Sequence, residues 1–261
     1  MKKLTLALTL ALMTSASAFA NPFVNGGFEG GNTNGWTTGA GYRGDTLNSG
    51  MSPGLFLPTG ALYDASQNNH SAIISAGSVD PLLGALLGST VYNGNYSFRA
   101  ENTVNGGYAS VISQKVTGYT DANIFFAWKA VLENGGHSED ESALMMIVLH
   151  DDTTNADVIS RVYNAGAGGG GVDSRFSTSG DLFYTSQWQI EQLAIDASLS
   201  GHDFTLSLLA ADCNPTGHVG YAYLDGFGAV VPPTDLPEPM SIALFGLGLT
   251  GIAAARRRKQ K

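Results

Sequence analysis

The sequence predicts an all-β fold, an antiparallel two-sheet sandwich, and three observations carry that prediction. Apolar residues recur at strand spacing in short runs, 34 glycines with many Asn, Ser and Thr separate those runs, and no central segment holds a 3.6-residue apolar period between helix caps. The clearest runs are residues 124–132, 143–150, 188–195, 204–210 and 221–230, preceded by 61–64, 71–75, 96–101 and 108–116. About eight to ten strands joined by turns bury their apolar faces best as two packed sheets. The glycine-rich stretch 166–171, inside a polar segment reaching 181, cannot pack a core and reads as a mobile surface loop. Asp151-Asp152 reads as the hairpin turn after a strand.

Both ends of the chain read as addresses rather than fold. Lys2-Lys3, an apolar run over 4–13 and the small-residue pattern Ala18-Phe19-Ala20 make residues 1–20 a secretory signal peptide with cleavage before Asn21. The residue directly after that point is Asn21 and not cysteine, which argues against a lipoprotein. Residues 21–231 are then one sandwich domain of ordinary size. Residues 232–261 hold a linker, Pro237-Glu238-Pro239, an uncharged stretch over 240–255, and the basic end Arg256-Arg257-Arg258-Lys259-Gln260-Lys261. Sixteen uncharged residues at about 1.5 Å each fall slightly short of the roughly 20 a bilayer core needs, and snorkelling cations extend them. Cations after the stretch and none just before it put the C-terminus in the cytoplasm and the domain outside.

That order of tripeptide, apolar helix and basic stop resembles the PEP-CTERM sorting signal of bacteria that export proteins into an extracellular polysaccharide matrix. The resemblance implies a partner, an exosortase-type sorting enzyme that acts near Pro237, Glu238 and Pro239. It also implies a transient anchor ended by Arg256, Arg257 and Arg258, and a final location at the cell surface or in the matrix.

Charge narrows the partners. Without Lys2, Lys3 and the five C-terminal cations only six of 13 basic residues remain, and without Glu238 21 of 22 acidic ones, so the exported body carries a formal charge of −15. Such a body repels nucleic acid and anionic head groups, and it attracts cations such as calcium. Cys213 is the single cysteine, so no intramolecular disulfide forms, and it reads as a buried apolar thiol.

Three further segments, Asn25-Gly26-Gly27-Phe28-Glu29 with Gly35-Trp36, Gly94-Asn95-Tyr96-Ser97-Phe98-Arg99, and Ala222-Tyr223-Leu224-Asp225-Gly226-Phe227, resemble in order and spacing the first, middle and last strands of galactose-binding-like jelly rolls. That resemblance implies a jelly-roll topology and a structural calcium between the first and last strands, with Glu29 and Asp225 as ligands and the Gly27 carbonyl as a third. Calcium takes six to eight oxygens in irregular geometry. The other reading of the same residues is that Glu29 caps a turn and Asp225 bonds backbone amides.

A second polar cluster is formed by His137, Glu141, Cys213 and His218. These supply N, O and S donors suited to zinc, with Glu139 as a further oxygen, although the histidines lack the paired spacing of a zinc motif. Without a metal, each histidine ties a loop to backbone carbonyls and Cys213 packs inward. His70, His150 and His202 read as isolated surface or edge residues. No Gly-x-Ser-x-Gly, His-Glu-x-x-His or phosphate-binding Gly-Lys-Ser/Thr motif is present. A glycosidase needs two facing carboxylates, which sequence alone does not reveal. Sugar rings stack on flat aromatic side chains, and Tyr42 and Tyr184, beside polar loops, are the exposed candidates. Trp36 and Trp188 read as core or platform, and Trp128 as core. The sequence thus predicts an exported, non-enzymatic surface or matrix protein with a structural or adhesive role. The alternative is a carbohydrate-binding module for exopolysaccharide, followed by a glycoside hydrolase.

Overall fold

A computed structural model describes residues 23–228 as two antiparallel sheets. The expected signal peptide and the sorting tail, with Pro237, Glu238, Pro239, Arg256, Arg257 and Arg258, lie outside the described residues. Twelve strands follow in chain order: β1 (Thr37–Tyr42), β2 (Ala72–Ser75), β3 (Tyr96–Ala100), β4 (Tyr108–Tyr119), β5 (Asn123–Glu133), β6 (Leu144–Asp151), β7 (Ala156–Asn164), β8 (Ser177–Ser179), β9 (Leu182–Tyr184), β10 (Gln189–Ala194), β11 (His202–Ala211) and β12 (Gly220–Asp225). The five-stranded sheet runs β1-β4-β11-β6-β7. The seven-stranded sheet runs β2-β3-β12-β5-β9-β8, with β10 pairing β5 on the same edge as β9, Gln189 opposite Trp128 and Tyr184 opposite Val131. Only short 3-10 turns accompany the strands, and no helix among the described residues is long and apolar enough to cross a membrane.

Alternation along each strand builds the layers. From β5, Ile124, Phe126, Trp128, Ala130 and Leu132 face the central core, and they meet Met145, Ile147 and Leu149 of β6 and Phe204, Leu206, Leu208 and Ala210 of β11. The opposite faces are apolar too. Leu144, Met146, Val148, Val111 and Leu209 are covered by Met51, Leu55, Phe56, Leu57 and Leu62 of the segment after β1. Val131, Tyr184, Tyr221 and Tyr223 are covered by Leu83 and Leu87 of the segment between β2 and β3. The sandwich therefore has three apolar layers, and both of its outer faces carry a lid. Each central strand is buried on two sides, which is why it reads as a continuous apolar run rather than a clean alternation.

Several sequence expectations change. Residues 25–29 are turns, not a first strand, with Asn25 and Phe28 at φ of 54° and 56°. Residues 61–64 end instead in a cap, where Asp64 Oδ1 accepts from the Ser66 amide at 2.9 Å and starts a 3-10 turn over Ala65–His70. The 166–171 stretch is tied rather than loose: the Ala167 amide donates to the His137 carbonyl at 2.8 Å and the Asn164 amide to the Gly171 carbonyl at 2.9 Å. Trp128 is core, as its position implies.

The lid over the seven-stranded sheet hangs on one carboxylate. Buried Asp80 accepts from the hydroxyls of Tyr221 at 3.0 Å and Tyr223 at 2.9 Å and from the amides of Leu82 and Leu83 at 3.0 and 2.7 Å. Lys129, also buried, donates from beneath to the carbonyls of Leu87 and Ser186, and burial pushes its pKa down to about 8. Removing the acceptor strands two buried phenols, each costing about 1–3 kcal/mol. Asp80→Ala is therefore expected to lower unfolding free energy by ~3 kcal/mol in urea titration, and Asp80→Asn by clearly less. Equal, negligible losses would show that Asp80 does not hold the lid.

Candidate functional site

Two clusters sit at opposite ends of β12. At its C-terminal end, Glu29 and Asp225 converge on the loop before β3. Glu29 accepts from the Asn95 amide at 3.0 Å, from Asn95 Nδ2 at 3.1 Å and from the Tyr96 amide at 3.2 Å. Asp225 accepts from the amides of Tyr92 at 2.9 Å, Asn93 at 3.1 Å and Gly226 at 2.7 Å. Burial pushes the Asp225 carboxyl up to about 7, against the pull of those three amides. Gly27 borders the pair, since a Cβ there would lie 3.7 Å from Asp225 Oδ1. The three sequence segments singled out above meet here: Phe28 stacks on Phe98 with centroids 5.6 Å apart, and Trp36 packs on Phe227 at 4.7 Å. The donors around both carboxylates are N–H groups, whereas calcium takes oxygens, so an ion here would share these oxygens with the amides.

At the other end of β12, the loop after β5 meets the turn before β12. His137 Nε2 lies 3.2 Å from His218 Nδ1, and Cys213 Sγ lies 3.3 Å from the same nitrogen. The three ligand atoms lie within 4.8 Å of one another. Cys213 is fully buried and both imidazoles are half-buried. Glu141 does not join them: its carboxylate accepts from the Ser138 hydroxyl at 2.7 Å and the Ser138 amide at 3.3 Å, closing its own turn. Short local partners win over a reach across the loop. The same end carries a row of rings on its surface, in which His70 packs on Tyr108 at 4.5 Å and Tyr108 edges against Tyr42 at 5.5 Å.

Beneath those rings lies a buried acid pair. Glu101, at a φ of 65°, accepts from Ser110 Oγ at 2.7 Å and from the Asn102 amide at 3.0 Å, and its Oε1 lies 2.5 Å from His70 Nδ1. Burial, with Glu101 nearby, pushes Asp212 up to about 8. The hydrogen bond to Glu101 raises the His70 pKa above its ordinary value, against burial. Neither carboxylate is exposed, so the pair holds loops rather than facing a substrate. His70, His150 and His202 are thus not isolated, since each pairs with an acid: Glu101, Asp157 and Asp151 respectively.

Of the aromatic candidates, Tyr42 is 51% exposed, whereas Tyr184 is 7% exposed and Trp36 8%. Tyr184 sits on a strand whose outer face the lid covers, and Trp36 joins the aromatic core, so neither ring is free to stack on a sugar. Trp188 is half-buried, donates from Nε1 to the Ser89 carbonyl at 3.1 Å, and meets the exposed Tyr92 ring at 5.8 Å.

Residues 235–259 match the PEP-CTERM protein-sorting motif. The chain carries the sorting signal of exported proteins at its C-terminal end. The fold is similar to several solved structures. One is the carbohydrate-binding module TmCBM61 in complex with β-1,4-galactotriose, at 11% identity, covering 79% of this chain and 95% of that one with a TM-score of 0.39. Another is the K1 cleaved adhesin domain of Lys-gingipain from Porphyromonas gingivalis W83, at 12% identity, covering 76% and 92% with a TM-score of 0.38. A third is CBM28, a carbohydrate-binding module specific for non-crystalline cellulose, at 12% identity, covering 79% and 91% with a TM-score of 0.36. No curated protein matches the chain.

Sequence reasoning missed Tyr92, Glu101 and Asp212. Tyr92 lies in a lid that reads as a loop, and the two acids lie more than a hundred positions apart on segments that only the β12–β3 and β11–β4 pairings bring together.

The raised groups fix a pH dependence. Between about 4, where an unfolded Asp titrates, and about 8, folded Asp212 keeps a proton that the unfolded chain has released, so stability falls as pH rises. Raised His70 acts in the same direction, its contribution being complete below about 6.5 and lost above its folded value. Unfolding free energy from urea titrations is expected to fall steadily from pH 5 to 8, and Asp212→Asn to flatten much of that slope. A flat or rising profile in the parent protein would refute the assignment.

Proposed function

We propose that this is an exported cell-surface or matrix protein with a non-enzymatic, structural or adhesive role, handed to its destination by an exosortase-type enzyme. The observation that carries the reading is the sorting motif over residues 235–259. The signal-peptide pattern at residues 1–20 and the acidic domain between the two ends support it. In this reading the apolar stretch anchors the protein in the membrane until processing near Pro237, Glu238 and Pro239. Replacing those three residues by alanine is expected to leave the protein membrane-bound and unprocessed, as read by fractionation and mass of the mature chain. Normal processing and release in that variant would sink the sorting reading.

A second reading, glycan binding, is favoured by the exposed ring of Tyr42 beside Tyr108 and by the Tyr92–Trp188 pair with Gln187 and Gln189 at its border. Such rings offer the flat apolar faces on which pyranoses stack, while the amides offer hydrogen bonds. A structural calcium at Glu29 and Asp225, with the Gly27 carbonyl, belongs to this proposal and is supported by the convergence of both carboxylates on one loop. The purified protein would be passed over a panel of polysaccharides, including the producer's own matrix, with calcium and with chelator. Saturable retention weakened several-fold by Tyr42→Ala or Trp188→Ala, about 1 kcal/mol per ring, supports glycan binding. Absent retention leaves the structural role, time-dependent release of reducing sugar would point to a hydrolase, and an unchanged melting temperature in chelator removes the calcium.

A further inference from the structure

We propose that His137, Cys213 and His218 form a binding site for a first-row transition metal of the zinc and copper class, held by two imidazole nitrogens and one thiolate. The site uses none of the residues of the sorting motif or of the aromatic candidates for glycan, and it stands whether or not those readings hold.

The distances come first. Two donors placed about 2.0–2.3 Å from one ion at a tetrahedral angle lie about 3.3–3.6 Å apart. The two short edges here are 3.2 and 3.3 Å, and the third lies within 4.8 Å. Valence is the second argument. His218 Nδ1 faces both His137 Nε2 and Cys213 Sγ, but a ring nitrogen has one in-plane bonding direction, either a lone pair or an N–H. Hydrogen bonding therefore satisfies one of the two contacts, whereas an ion between the three atoms satisfies all.

The surroundings are built for this meeting. The Cys213 amide donates to the His218 carbonyl at 3.2 Å, closing a turn in which Thr216 and Gly217 take φ of 60° and 129°, so thiol and imidazole return to the same spot. His137 is fixed by the Ala167 amide on its carbonyl at 2.8 Å. Gly135 stands where the rings meet, and a Cβ there would collide with His218 Nδ1 and His137 Cδ2, so the glycine keeps that space clear. Burial of Cys213 beside half-buried imidazoles gives a site with a dry floor and an open side.

Donor chemistry chooses the metal class. Two nitrogens and a sulfur are too soft for calcium or magnesium, whose sites are built from oxygen. With a fourth ligand from solvent the set suits tetrahedral zinc, and as a trigonal His-His-Cys set it suits copper. On binding, the Cys213 thiol loses its proton to solvent and sulfur forms the bond to the metal, with no redox step. The ion would join the β5–β6 loop to the β11–β12 turn, two segments that no disulfide can join because the chain has one cysteine.

The test uses the full purified protein, stripped with chelator and titrated separately with Co²⁺, Zn²⁺ and Cu²⁺. One equivalent is expected to bind, with a sulfur-to-metal charge-transfer band in the Co²⁺ and Cu²⁺ complexes and protection of Cys213 from a thiol-alkylating reagent. Competition between Zn²⁺ and Cu²⁺ then identifies the preferred ion. Cys213→Ser is expected to remove the band and weaken binding by ~100-fold or more, since even partners of metal ligands are worth 10–100-fold. His137→Gln, on a partly exposed loop, is expected to weaken binding as well and covers the case in which Cys213→Ser does not fold. Absence of stoichiometric binding, or equal binding by parent, Cys213→Ser and His137→Gln through the acidic surface, overturns the proposal.

Discussion

The desolvated guanidinium of Arg43 is the interaction on which one whole end of the sandwich depends. It is fully buried directly after β1, and burial lowers its pKa while Cys213, Asp212 and Asp140 pull the other way. Its hydrogen bonds go to the carbonyls of Asp212 at 2.6 Å and Thr46 at 2.8 Å and to Asn48 Oδ1 at 2.7 Å. Asn48 passes the constraint on, donating to the carbonyls of Glu139 and Ser142 at 2.6 and 3.0 Å, while Asn214 returns from the other side to the Gly44 carbonyl at 2.9 Å. A buried cation with all three of its nitrogens hydrogen-bonded is tolerable, whereas one that loses a partner is strongly destabilising. The segments after β1, after β5 and after β11 are therefore fixed to one another, and those last two carry His137, Cys213 and His218.

The two lids explain why the central strands offer no open face among the described residues. In a one-sided sheet the tyrosines of β12 would look outward as a ring platform, but here Tyr221 and Tyr223 point into Asp80 and the lid above it. The other lid lies so close to β1 that a Cβ on Gly39 or Gly41 would collide with the carbonyls of Phe56 and Leu62. Backbone thus packs directly on backbone, and the Asp64 amide reaches the Ala40 carbonyl at 2.8 Å. Exposed and half-buried rings are found instead at the rims, among them Tyr42 and the Tyr92–Trp188 pair.

The same packing decides what was legible in the sequence. Long strands buried on two faces, such as β5, β6 and β11, announce themselves as apolar runs, and the two-sheet class follows from them. The strand β1, Thr-Thr-Gly-Ala-Gly-Tyr, does not, because the glycines that admit the lid erase the β pattern. The strand β7 is an exposed edge with Asp157, Ser160 and Arg161 in its run, so its signal is polar for the reason that edges are polar. Tyr184 looked exposed because its strand has only three residues between polar loops, and the lid that buries it comes from a hundred positions upstream. His137 and His218 are 81 positions apart, and only the register of β12 against β5, Gly220 opposite Leu132, makes their loops neighbours. Glu29 and Asp225 were readable as a pair through a resemblance, and the reading in which Asp225 bonds backbone amides matches its bonds to Tyr92, Asn93 and Gly226, but which loop supplies most of those amides was not legible.

Position along β12 gives the two ends different meanings. Its five intervals from Gly220 to Asp225 span roughly 17 Å at about 3.3 Å per residue. The Asp225 end packs Phe23 against Trp36 and Phe227, so the first and last described segments lie together there. The sorting motif follows that end in sequence, beginning eight positions after Phe227. The opposite end holds Tyr42, Tyr108, His70 and the His137–Cys213–His218 group. Rigidity at that end has a physical consequence, because two loops that meet there through side chains alone keep their geometry only if both are held from within. Arg43 supplies that rigidity from inside, and a metal joining the two loops would supply it from the surface.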